Sequence, residues 1–214
     1  MFSNKNGLRI PDFPKKILNF PIFYNCLQEI GGHNRTVKYV LEKYDSNLYE
    51  REVIDLGCGT GKALTNLPKF EKYTGVDIHE PYIRKLIKEN PKPNCKFLKG
   101  SALDLKGVVS KTQSATFIAL GFLHHLSESE VEILFTEIRQ VCKNPTIITL
   151  DPVFCDNQTR LSKFLANSDR GNYVRWDKEL HSLISCFGGK LLDSEINNSI
   201  MRTKMNVAIN MFEL

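Results

Sequence analysis

The sequence has no apolar run approaching the roughly 18 residues that a membrane-spanning helix requires. Its first residues carry charge and proline where a secretory signal needs an apolar core. No C-x-x-C pair occurs, and Cys26, Cys58, Cys95, Cys142, Cys155 and Cys186 stand far apart. That spacing argues against a zinc or disulfide framework and for the reduced, mostly buried thiols of a cytoplasmic protein. Block charge is missing as well. The net charge is +5, but Lys and Arg are spread along the chain, which reads as a solvated surface and makes nucleic acid an improbable partner. Internal repeats and low-complexity segments are absent. What remains is 214 residues, 42% hydrophobic and 25% charged, enough for one globular domain with a substantial core.

The rest of the chain is organised around Val53-Ile54-Asp55-Leu56-Gly57-Cys58-Gly59-Thr60-Gly61-Lys62. An apolar strand runs into alternating glycines, and Ala63 to Leu67 read as the start of a helix. Such a turn presents backbone N–H groups to a polar or anionic ligand, and a Cβ there would hold the ligand away. Tyr73 to Ile78 form the next strand, and Asp77 at its end lies about 20 residues past the first glycine, the place of an acid that holds a ribose diol. The glycine spacing separates cofactors. A dinucleotide fingerprint would need glycine at Lys62, and the phosphate-loop pattern fails at Leu56 and Ala63.

Strands then alternate with helices. A helix with Pro81 in its first turn stops before Pro91, and strands follow at Cys95–Lys99 and Ala115–Leu120. Ser127 and Glu130 make a capping box for a helix that buries Val131, Leu134, Phe135, Ile138 and Val141. Thr146 to Asp151 form an apolar strand suited to burial on both faces. Residues 152–174 break the rhythm as an insertion, and a helix carrying Leu180, Leu183, Ile184 and Phe187 follows. Two last strands, near 190–196 and 205–212, have only a short link and should pair antiparallel. The fold class is α/β: a doubly wound, Rossmann-like, seven-stranded and mainly parallel sheet with a C-terminal antiparallel hairpin. Ahead of it, residues 1–32 carry apolar positions from Ile17 to Ile30, broken near Pro21. They form either a helix covering the sheet or a lid, before a loop at 31–35 and a helix through Val37, Val40, Leu41 and Tyr44.

The stretch Asp55 to Gly61 resembles the first motif of the class I S-adenosyl-L-methionine (SAM)-dependent methyltransferases, with residues 33–214 as the methyltransferase domain. The resemblance implies SAM as cofactor and methyl transfer to a small-molecule acceptor. It further implies that Gly57, Cys58 and Gly59 lie against the methionine moiety and that Asp55 orients its ammonium group. Asp77 would take the ribose hydroxyls, Ile78 would pack on adenine, and Ser101-Ala102 would stand where the family often has an acid followed by alanine. Leu120 opens the loop that runs beside the transferable methyl.

Three residues are candidates for chemistry on the acceptor. One of the pair His124-His125 would pack on the cofactor while the other faces the acceptor as a base. Asp151, at the carboxyl edge of the sheet, is either a base, an acceptor anchor or a loop cap. No metal is expected, because no Cys, Asp or Glu stands at ligand spacing beside the histidines. Arg160, Arg170 and Arg175 in the insertion suit an anionic acceptor, unless Asp169-Arg170 is only a surface turn. An enclosed pocket is expected beneath the insertion and the N-terminal segment, with Tyr24, Arg170 or Arg175 in its lining. Two rival readings remain: a SAM-binding regulatory protein without catalysis, and a nucleic-acid methyltransferase. Against the latter, Ala119-Leu120-Gly121-Phe122 stands where base-amine enzymes carry an acid or amide with prolines.

Overall fold

The computed structural model describes residues 33–214. The expectations placed on residues 1–32, including Tyr24, lie outside the described residues. Helix α1 (His33–Lys43) is the first element of the described residues and begins two residues before the expected loop ends, and a single turn, α2 (Asp45–Leu48), follows.

The sheet comprises β1 (Glu52–Leu56), β2 (Lys72–Asp77), β3 (Cys95–Lys99), β4 (Thr112–Leu120), β5 (Cys142–Phe154), β7 (Lys190–Asn197) and β8 (Val207–Glu213). Their spatial order is β3-β2-β1-β4-β5-β8-β7, with the first five parallel and the final hairpin antiparallel. Alternate residues of each strand feed two cores. Ile54, Phe117 and Ile147 face α4 (Glu128–Val141) and α6 (Asp177–Cys186), while Val53, Ile118 and Ile148 face α1 and α3 (Glu80–Glu89). Apolar residues on both faces are what covered parallel strands require. The capping box is formed: Ser127 Oγ accepts from the Glu130 N–H, and the Glu130 carboxylate accepts from the Ser127 N–H.

Three expectations are corrected. The helix expected from Ala63 is a single 3-10 turn, Leu64–Asn66. Pro68 bars helix at the residue before it, and Leu67 is extended with ψ 143°. Asp151 does not end its strand. Leu120 pairs with Leu150, the last β4–β5 pair, but β5 continues to Phe154 because β8 pairs with it through Pro152. An eighth short strand, β6 (Arg175–Trp176), pairs with Val153 and Phe154 off the main path. The insertion therefore begins past Phe154, and it contains a helix, α5 (Arg160–Asn167), capped by the Thr159 hydroxyl.

Candidate active site

Because β1, β4 and β5 are parallel and their chain ends lie side by side, the loops that leave them meet at one edge of the sheet. The glycine loop occupies the β1 position. Gly57, Gly59 and Gly61 all have positive φ (71°, 51° and 77°). The N–H groups of Gly57 and Cys58 both reach the Val76 carbonyl, at 2.8 and 3.1 Å, which folds the loop back over β2. A Cβ on Gly57 would lie 2.7 Å from the Phe122 ring, so that position is closed to any side chain. At Gly59 the nearest protein atom to such a Cβ is 3.9 Å away, and the space beside it is open cavity. Asp77 locks the loop. Its Oδ2 accepts the Gly59 N–H at 2.9 Å and its Oδ1 accepts the His79 N–H at 2.7 Å. A carboxylate has about four acceptor positions, so two remain for a diol.

Asp55 lies under this loop, almost fully buried, and its Oδ2 accepts the Tyr73 hydroxyl at 2.6 Å. Burial pushes its carboxyl up to about 7, which the Tyr73 hydrogen bond only partly offsets. Above that pH it is a buried anion facing a cavity, suited to a cationic ligand group.

The cavity, about 640 Å³, has a volume typical of small-molecule sites. Of the residues expected at the site, Asp55, Gly57, Cys58, Gly59, Leu120, His124 and His125 line it. Asp77, Ile78, Ser101, Ala102 and Asp151 do not. Ile78 is 72% exposed beyond the cavity, and the Ser101 hydroxyl caps the following 3-10 turn by accepting the Leu103 N–H at 3.1 Å. Asp151 is buried behind the wall made by its neighbours Leu150 and Pro152. The wall also holds Lys62, Leu165, Asp169, Arg170, Met201 and Met205. No sequence pattern marked Met201 or Met205. They come from the β7–β8 link, which reaches the site only because the hairpin lies next to β5.

The two histidines differ in kind. His124 is buried. Its Nδ1 is 2.8 Å from Asp151 Oδ1 and its Nε2 is 3.1 Å from Asp169 Oδ1. Burial opposes the charged ring, but hydrogen bonds to the two carboxylates outweigh it and raise the pKa to about 9. With both nitrogens bonded, His124 has none to offer a substrate proton. His125 stacks against it at a centroid distance of 4.1 Å and faces the cavity. Desolvation and the charge on His124 lower its pKa below the ordinary 6.5, so it is neutral at neutral pH.

The 169–175 segment is fastened to this loop. The Gly171 N–H and His124 share Asp169 Oδ1, and the Tyr173 N–H donates to the His124 carbonyl at 3.0 Å. A Cβ on Gly171 would stand 2.0 Å from His124 Cδ2 and 2.5 Å from its carbonyl oxygen. Arg175 donates to the carbonyls of Leu123 and Leu126 at 3.1 and 2.5 Å. This corrects two expectations. Arg175 does not line the cavity but bolts the insertion to the loop, and Asp169 serves His124 where a surface turn with Arg170 was one reading. Arg170 does line the cavity.

Residues 53–145 match the family model described as methyltransferase domain. No curated protein sequence matches the chain. Among solved structures, magnesium protoporphyrin IX methyltransferase of Synechocystis, with bound S-adenosylhomocysteine, superposes with TM-score 0.64 at 15% identity, covering 95% of this chain and 99% of that one. The 1,6-didemethyltoxoflavin N1-methyltransferase of Burkholderia thailandensis gives 0.67 at 13% identity, covering 98% and 92%. Mitomycin 7-O-methyltransferase gives 0.67 at 14%, and the chain, covered over 93%, spans 60% of its length. The glycine loop and the locked Asp77 thus lie in a stretch that is similar to a methyltransferase domain, and the chain shares its fold with these solved methyltransferases.

Proposed function

We propose that the chain methylates a small-molecule acceptor carrying negative charge, with His125 as the base where the acceptor must lose a proton. The observation that carries this reading is the continuity of one cavity from Asp55 and the glycine loop to His125, Lys62 and Arg170. SAM supplies an electrophilic methyl on a sulfonium. Asp55 would hold its ammonium group, the 57–59 backbone would lie along its methionine portion, and Asp77 would accept the ribose hydroxyls. Ile78, Ser101 and Ala102 stand farther along the same edge, where adenine would reach beyond the cavity. The apolar wall of Leu150, Pro152 and Leu165 excludes water from the reacting atoms. Lys62 and Arg170 suit a carboxylate or phosphate on the acceptor, and Asp151 acts behind the wall, through His124. Among the described residues no group of His, Cys, Asp and Glu could hold a metal, and no helix is long and apolar enough to cross a membrane. A cytoplasmic setting fits the five described cysteines, all free.

The test is production of S-adenosylhomocysteine from SAM with a panel of carboxylated and phosphorylated metabolites, each paired with its neutral analogue. Turnover with an anionic member supports the proposal. Saturable SAM binding with no product from any member would leave a non-catalytic binder.

Two expected results arise here. A bound cation favours ionised Asp55, so binding below about pH 7 must expel its proton. SAM affinity should therefore fall by about tenfold per pH unit below that point, and Asp55→Asn should be weaker and flat with pH. Calorimetry across about pH 5.5 to 8 checks this, and a flat wild-type profile would contradict it. The proposal also retains residues 1–32 as a lid. Removal of residues 1–30 should then spare SAM affinity and lower turnover, whereas full turnover would reduce the segment to a packing element.

A further inference from the structure

Four ties converge on the loop after β4 from one short piece of the insertion. Asp169 meets His124 Nε2, the Tyr173 N–H meets the His124 carbonyl, Arg175 spans Leu123 and Leu126, and Gly171 packs on the imidazole with no room for a methyl group. From the opposite side Asp151 Oδ1 takes both the backbone N–H of His124, at 3.0 Å, and its Nδ1. One imidazole thus joins a central strand of the sheet to the far turn of an insertion. We propose that His124 is a positioning residue, which through Asp151 on one nitrogen and Asp169 on the other latches the 169–171 turn to the sheet and so holds Arg170 and His125 in the acceptor half of the cavity. The assignment of that half rests on the function proposed above, while the latch itself does not.

The cofactor half is held mainly by other bonds, since Tyr73 fixes Asp55 and Asp77 ties Gly59 and His79, and it meets the latched loop only through Phe122 packed on Gly57. A latch therefore separates the two halves in experiment, where a purely structural role would weaken both. Asp169→Asn keeps the shape and one acceptor for His124. It is expected to leave S-adenosylhomocysteine affinity within about twofold, to speed tryptic cleavage after Arg170 by about tenfold, and to move the His125 titration in histidine NMR spectra. Unchanged cleavage together with an unchanged His125 titration would overturn the latch. So would a loss of cofactor affinity as large as the gain in cleavage.

Should that variant fail to fold, wild-type amide exchange decides. The titratable groups facing His124 are Asp151, Asp169 and the stacked His125, while Arg170 acts on His125 and Arg175 bonds the carbonyls of Leu123 and Leu126 beside it. Protection of the Gly171 and Tyr173 amides, corrected for intrinsic rates, should fall together as the His124 NMR signal reports deprotonation. Protection that ignores this titration would overturn the proposal. If wild-type protein binds no S-adenosylhomocysteine, the methyltransferase reading fails, while the cleavage and exchange results still judge the latch.

Discussion

Asp77→Ala is expected to weaken SAM and S-adenosylhomocysteine binding by at least roughly 100-fold while leaving the protein folded. Hydrogen bonds to a charged group are worth about 1.5–3 kcal/mol each. Two ribose hydroxyls on one carboxylate therefore amount to about 3–6 kcal/mol, and 1.4 kcal/mol is tenfold in affinity. The variant loses more than the ligand contacts. Asp77 is the bolt between the Gly59 and His79 amides, so its removal also frees the glycine loop to leave the bound geometry. Asp77 is only part-buried and outside both hydrophobic cores, so the melting temperature should move little. Titration calorimetry reads the affinity, and a loss below about fivefold would remove Asp77 from the cofactor site.

Asp169→Ala should act on stability instead, and with a particular pH dependence. Removing a partner of a fully buried ion pair costs about 3–5 kcal/mol, and Asp169→Ala should cost less than that, because Asp169 is partly exposed and Asp151 still pairs with His124. The folded pKa of His124, about 9, lies above its unfolded value of about 6.5. Its contribution, on the order of 3 kcal/mol, is fully present below the unfolded pKa and is lost as pH rises through about 9. Asp169 adds the opposite limb. Burial opposes its charge, but the hydrogen bonds from His124 and the Gly171 N–H and the charge on His124 together outweigh that and hold its carboxyl below the usual value, so its share is lost when acid protonates it. Wild-type stability should therefore decline between about pH 6.5 and about pH 9, and Asp169→Ala should be both less stable and flatter across that interval. Urea denaturation at several pH values measures this. Parallel curves would contradict the pH linkage to His124, and coincident curves would show that the pair contributes nothing.

Most of the architecture was legible in the sequence because it rests on local signals. Apolar runs of strand length, the Ser127–Glu130 box, Pro81 and Pro91, and the glycines at 57, 59 and 61 each mark their element without reference to the rest of the chain. The misreadings have non-local causes. The end of β5 is set by pairing with β8, some 60 residues later, so nothing near Asp151 announces that the strand continues. The roles of Asp169 and Arg175 depend on the insertion folding back on a loop about 50 residues earlier, and along the chain Asp169 reads as part of a turn and Arg175 as an anion-binding residue. The pair His124-His125 was read as divided between two roles, but not that His124 is the one tied down, because that tie comes from two carboxylates on other elements. The shortened helix after Gly61 is a different case. Its cause is local, since Pro68 disfavours helix at Leu67.

Titration of the intact chain with S-adenosylhomocysteine by calorimetry tests the central claim most directly, since it needs no acceptor and no turnover. The expected result is a saturable isotherm with one site per chain, weakened by Asp77→Ala and, below about pH 7, by acid. A folded protein that gives no saturable binding of either SAM or S-adenosylhomocysteine would contradict it.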